Sequence, residues 1–203
     1  MKYIKFYYGI SGTLKRTTIQ SELEKKGNSA YSMWSMIKPW KDYERGVFNS
    51  KPSDLNYANL HLCRLIDYLY QCPSEGRESL LVERGVTDML FYWLKKGNSP
   101  NPLDTWIREV TREEDFICDQ NSYYIPEKVL LVMKDLDFIE NVILREPKRK
   151  ECFPGGVMDY LEQQNEYVEF TKKYNKISET VTIKDAKSYI ENDLGLEYNE
   201  SKI

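Results

Sequence analysis

The chain opens on a strand pattern. Tyr3 to Tyr8 is aromatic and β-branched, and it breaks at Gly9-Ile10-Ser11-Gly12-Thr13. Arg16 to Lys26 places Ile19 and Leu23 four apart, as on one face of a helix. It stops at Lys25-Lys26-Gly27-Asn28, a basic last turn followed by glycine. Ala30 to Ile37 reads as a second strand closed by Pro39, and Asp42 to Ser53 as a polar loop. Leu55, Ala58, Leu62, Leu65, Ile66 and Leu69 recur at helical spacing, which predicts a helix over Asp54 to Tyr70. Ser79 to Val82 and Val129 to Met133 are continuous apolar runs, the mark of strands buried on both faces.

Val86 to Lys96, Leu103 to Asp115, Leu136 to Arg145 and Val157 to Tyr174 read as helices. Thr180 to Ile183 is a last strand and Asp185 to Asp193 a last helix. Asn98 to Pro102 is a loop. Glu146 to Gly156 is charged and holds two prolines and two glycines, so it reads as a flexible loop. Lys-Lys-Gly-Asn-Ser occurs at 25–29 and 95–99 between unlike flanks, and marks two helix ends rather than a repeat. Strands alternate with helices throughout. The expected fold class is α/β: an open parallel sheet of five strands with helices on both faces. Such sheets bind ligands beyond the C-terminal ends of their strands.

Composition narrows the classes. The 203 residues are enough for one domain spanning 1–203 with its own core. The 29 Lys+Arg nearly cancel the 32 Asp+Glu, which argues against a nucleic-acid coat. Cys63, Cys72, Cys118 and Cys152 form no C-x-x-C pair, and His61 is the single histidine. That argues against a zinc site, a redox dithiol and a Ser-His-Asp triad, and the thiols suit a reducing, cytoplasmic setting. His61, Trp34 and Trp40 read as packing residues. No apolar run is long enough to span a bilayer, and Met1 to Phe6, interrupted by Lys5, is no signal peptide.

Three segments carry candidate chemistry. Gly9 to Thr18 runs from a strand through small residues into Lys15, hydroxyl residues and a helix, the layout of a phosphate cradle. Scored against G-x-x-x-x-G-K-[ST], Gly9, Gly12 and Lys15 fit, while Leu14 stands in the second glycine slot and Arg16 in the hydroxyl slot. A left-handed Leu14 would cost roughly 1–2 kcal/mol, so a locally shifted loop is expected. Thr17 or Thr18 is then the substitute hydroxyl for a metal, or Arg16 itself neutralises phosphate charge. Glu83-Arg84 follows the Leu80–Val82 run directly, where an acid can hold Mg²⁺ or take a proton and an arginine can bind a migrating phosphoryl group. Arg145, Lys148, Arg149 and Lys150 make a basic segment, expected as a lid over about 145–156. Each feature alone also fits an ordinary turn, a surface ion pair or a solvated loop.

Together these motifs resemble the thymidylate kinase and deoxynucleoside kinase group of P-loop kinases. Gly9 to Thr18 is similar to the group's phosphate loop. Glu83-Arg84-Gly85-Val86-Thr87-Asp88 is similar to its strand-end motif, and Arg145 to Glu151 with Tyr160-Leu161-Glu162 to its lid and following helix. The resemblance implies Mg²⁺-assisted transfer of the ATP γ-phosphate to a deoxynucleoside monophosphate or deoxynucleoside. It implies ATP contacts along Gly9, Ser11, Gly12, Thr13, Leu14, Lys15, Arg16, Thr17 and Thr18, with Arg145 and Lys148. Catalytic roles fall to Lys15, Glu83, Arg84 and Arg149, and a metal would sit at Thr17 and Glu83. Acceptor contacts fall to Lys38, Arg64, Arg84, Asp88 and Glu151. Lys38-Pro39 stands where the group has an acid, which favours a phosphorylated acceptor. The partners implied are small nucleotides, not nucleic acid or membrane, with a homodimer left open. The departures at Leu14, Arg16 and Lys38 also fit a nucleotide-binding or regulatory relative without turnover.

Overall fold

A computed structural model describes residues 3–34, 54–74, 76–95, 104–121 and 126–199. The elements are β1 (Tyr3–Tyr8), α1 (Lys15–Lys26), β2 (Ala30–Trp34), α2 (Asp54–Ser74), β3 (Ser79–Glu83), α3 (Val86–Lys95) and α4 (Asp104–Asn121). They continue with β4 (Glu127–Met133), α5 (Leu136–Phe138, prolonged by a π turn over Ile139–Ile143), α6 (Pro147–Cys152) and α7 (Val157–Tyr174). β5 (Glu179–Ile183) and α8 (Ala186–Ser188, prolonged by a π turn over Tyr189–Asp193) complete the chain. The five strands form one parallel sheet in the order β2-β3-β1-β4-β5.

The sheet explains the apolar runs. Along β1, Ile4, Phe6 and Tyr8 point to one side and cluster with Leu65 and Leu69 of α2, Cys118 of α4 and Tyr160 and Tyr167 of α7. Tyr7 points to the other and packs with Leu81, Val129, Leu131 and Ile19 of α1. Every residue of β3 is buried. β5, at the sheet edge, buries only Ile183 fully. On the α1 face, Ser21 Oγ donates to Leu194 O at 2.7 Å, and the Thr18 and Tyr189 hydroxyls meet at 3.1 Å. α1 ends as its sequence requires: Gly27, at φ 56°, donates its N–H to Leu23 O.

Three expectations change. The 146–156 segment is not an irregular loop, because α6 occupies Pro147–Cys152. Pro147 opens that helix instead of breaking it, since the first turn needs no intrahelical N–H and the fixed proline φ already suits it. The Leu136 to Arg145 helix is a single α turn followed by a π turn that ends at Ile143. α4 runs on past Asp115 to Asn121, because Ile117 and Cys118 continue its buried stripe.

Strand pairing positions the candidate chemistry. Tyr7 of β1 is in register with Glu83 of β3, and Arg84 N donates to Tyr7 O at 2.9 Å. The glycine loop and the Glu83-Arg84 pair therefore leave the sheet side by side.

Candidate functional site

The loop after β1 is wound tightly around Lys15. Gly9 sits at φ 150° and Gly12 at φ 89°. A Cβ on Gly9 would strike Thr13 and the Leu131 carbonyl, and one on Gly12 would strike Ile143 at 2.7 Å. Thr13 closes the turn by donating its Oγ1 to Ile10 O at 3.0 Å. Leu14 adopts φ 58°, ψ 22°, so the left-handed slot is kept and the expected local shift does not occur. Its side chain is buried in the main core. Burial of a leucine is worth about 1.5–3 kcal/mol, enough to offset the left-handed cost of about 1–2 kcal/mol.

Lys15 points back into the loop. Its Nζ donates to Gly9 O at 2.7 Å, Ile10 O at 2.7 Å and Thr13 Oγ1 at 3.2 Å. Burial, with the Arg84 charge nearby, lowers its pKa to about 7. No side chain caps the N-terminus of α1, and its first turn carries no acid. The helix end therefore presents uncapped N–H groups and its positive dipole end, the combination that receives phosphate.

Arg84 also has a left-handed backbone, φ 67°. Its guanidinium donates to Asp88 Oδ1 at 3.0 Å and to the Tyr92 hydroxyl at 3.4 Å. Burial works against its charge, but Tyr92, Asp88 and Glu83 outweigh that and hold it ionised. Asp88 is fully buried and accepts from Gly85 N at 3.2 Å and from the Tyr167 hydroxyl at 2.7 Å. Burial raises its pKa, with Arg84 and Lys15 opposing. The Tyr167 hydroxyl in turn accepts from Gly9 N at 3.1 Å, so one buried chain of bonds joins the two strand ends.

A cavity of about 400 Å³ opens between these parts. Ser11, Gly12, Thr13, Leu14, Lys15, Arg16 and Thr17 line it from the loop, Glu83 and Arg84 from β3, and Lys148 and Arg149 from α6. Five basic side chains thus meet there against the carboxylates of Glu83 and Glu146. Arg16 Nε pairs with Glu83 Oε2 at 3.0 Å, and Arg149 Nε with Glu146 Oε2 at 2.6 Å.

Other expected residues lie elsewhere. Thr18 turns away from the cavity and donates its hydroxyl to Leu14 O at 2.9 Å. Gly9, Asp88, Arg64, Arg145 and Glu151 are outside the lining, although Gly9 and Asp88 hold it from behind. Lys38 lies outside the described residues. Glu146 and Cys152 line the cavity without having been singled out in the sequence.

A buried pair also escaped the sequence. His61 Nε2 meets Glu114 Oε1 at 2.6 Å with both side chains fully buried. Glu114 accepts from Val86 N at 2.9 Å and from the Tyr8 hydroxyl at 3.3 Å. It braces the turn that carries Arg84. The one local signal is position: Glu114 falls in the buried stripe Ile107, Thr111, Cys118, where a carboxylate needs partners.

The whole chain is similar in fold to the thymidylate kinase of Ehrlichia chaffeensis. The TM-score is 0.53 at 10% identity, over 96% of this chain and 97% of that one. No protein-family model and no curated protein sequence matches it. The fold is a thymidylate-kinase-like α/β fold, a five-stranded all-parallel sheet with helices around it. Among the described residues, no helix is long and apolar enough to cross a membrane.

Proposed function

We propose that the protein is a nucleotide kinase that transfers the ATP γ-phosphate to a deoxynucleoside monophosphate, with thymidylate the first acceptor to try. The observation that carries this reading is the buried Lys15 amino group inside a wound glycine loop, which shares one cavity of basic side chains with Glu83 and Arg84. In this mechanism Lys15 exchanges the Gly9 and Ile10 carbonyls for β- and γ-phosphate oxygens. The uncapped N-terminus of α1 orients the same oxygens. Arg84, fixed by Asp88 and Tyr92, meets the charge that spreads over the transferring phosphoryl group. Lys148 and Arg149 bring further cations from α6, which serves as the lid over about 145–156. Glu83 holds Arg16 across the strand ends and would act as a base only for a nucleoside hydroxyl, because the attacking oxygen of a monophosphate is already ionised near neutral pH. The single domain runs over 1–203.

Mg²⁺ is expected of this fold, and Thr17 and Glu83, the residues expected to hold it, both line the cavity. Glu83, however, is paired with Arg16, which stands in the hydroxyl slot and offers a cation no lone pair. No step above runs through a metal.

The same pair favours a second reading: a nucleotide-binding protein without turnover. ADP release measured with ATP and a panel of nucleosides and nucleoside monophosphates separates the two. Turnover of a monophosphate supports the first. Phosphorylation of free thymidine or deoxycytidine alone moves the acceptor to a nucleoside. ATP binding with no turnover of any acceptor supports the second.

A further inference from the structure

We infer that the Arg16 guanidinium, seated on Glu83, takes the place of a divalent cation at this loop, so that the site binds the metal-free polyphosphate of a nucleoside di- or triphosphate. The inference rests on the phosphate-loop reading above and specifies the ligand's ionic form. Arg16 is the second residue of α1, immediately after Lys15, and its Nε lies 3.0 Å from the Glu83 carboxylate across the strand ends. A cation approaching Glu83 would meet the Arg16 charge at the same oxygen. A guanidinium is a planar fork of N–H donors that suits phosphate oxygens.

Two further observations agree. Of the two substitute hydroxyls expected from the sequence, Thr17 lines the cavity, while Thr18 is bonded to Leu14 O at 2.9 Å, sits 3.1 Å from the Tyr189 hydroxyl and is buried away from it. The lining holds five basic side chains, of which Arg16 and Arg149 pair with Glu83 and Glu146 and Arg84 with Asp88 behind it. A bound polyphosphate therefore meets basic groups on every side without a metal between them.

Titration calorimetry of ADP and of ATP, in EDTA and in excess Mg²⁺ at equal ionic strength, tests this on the intact chain. Wild-type affinity in EDTA should equal or exceed that in Mg²⁺. Arg16→Thr, which restores a hydroxyl, should weaken binding in EDTA by roughly tenfold or more and regain much of it with Mg²⁺. Mn²⁺ added to the wild-type protein with ADP should show the electron paramagnetic resonance signal of Mn²⁺–ADP in solution, with no protein-bound fraction. Wild-type binding that strengthens tenfold or more with Mg²⁺ overturns the inference and leaves the phosphate loop standing. No binding under either condition overturns both. The wild-type comparison alone decides between these outcomes if Arg16→Thr does not fold.

Discussion

Filling the cavity with a polyphosphate should draw a proton onto Lys15. Burial and the Arg84 charge bring this ammonium from 10.5 to about 7. An anion placed against it favours the charged form again. With that pKa, the group is roughly one-quarter protonated at pH 7.5 and roughly 3% protonated at pH 8.5. Binding at pH 7.5 should therefore take up about three-quarters of a proton, and affinity should fall about eightfold by pH 8.5. The second ionisation of a phosphate ester lies near pH 6, below this window, and contributes little. Calorimetry of ADP in two buffers of different ionisation enthalpy reads the proton directly, and Kd against pH reads the slope. Lys15→Arg, ionised throughout, should bind with no uptake. The sign for folding follows from the same shift. The unfolded lysine holds its proton up to about 10.5 and the folded one only to about 7, so this group favours folding increasingly as pH rises between them. Uptake below roughly 0.2 proton at pH 7.5, with a flat Kd to pH 8.5, would refute the reasoning.

Other perturbations probe the neighbouring parts. Glu83→Gln and Arg84→Ala should each lower turnover by on the order of 10²-fold, measured as ADP release; near-normal turnover with a lower Tm would reduce them to a structural pair. Leu14→Ala keeps the left-handed strain and loses the buried side chain, so denaturant melts should show a loss of about 2 kcal/mol or more. Leu14→Gly relieves the strain and should be less destabilising than Leu14→Ala by about 1 kcal/mol, and the reverse order would contradict the offset argued for this residue. Hydrogen exchange over Pro147–Cys152 should slow once ATP and acceptor are bound, and unchanged exchange in the saturated complex would remove α6 from the mechanism. Glu114→Ala strands His61, Tyr8 and the Val86 N–H in the core and should cost about 3 kcal/mol or more in the same melts.

What the sequence made legible follows from where its signals are local. β3 and β4 stand out because a strand covered on both faces must be apolar at every position, and Leu80 to Val82 and Val129 to Met133 are. Lys15 stands out because a strand, small residues and a lysine occur together within one short run. α6 did not, because Pro147 has opposite meanings at a first turn and inside a helix, and the residues around it do not decide between them. The π turns after α5 and α8 have no distinctive composition. The site's paired charges were illegible for a different reason. Arg16 and Glu83 are 67 residues apart, and His61 and Glu114 are 53 apart. Only strand register and helix packing bring them together, and no local pattern encodes that.

Backbone strain gives an argument for the site that owes nothing to resemblance. Among the described residues, Leu14 and Arg84 are the non-glycine residues with positive φ. They stand in the turns that follow β1 and β3, which are hydrogen-bonded neighbours, and both line the same cavity. Each conformation costs about 1–2 kcal/mol where glycine would cost almost nothing, so something must hold each residue there. For Leu14 it is burial in the main core. For Arg84 it is the Tyr7 carbonyl on its N–H and Asp88 and Tyr92 on its guanidinium. Asp88 and Tyr167 then link that guanidinium to Gly9 N, so the two strained turns are braced against each other. A scaffold that only had to turn the chain would place glycine at 84. A half-buried arginine kept charged in a strained turn beside a buried lysine is instead what a preformed receptor for anions would require. That requirement is common to a kinase and to a binding protein, and Arg16 on Glu83 is where the two readings diverge.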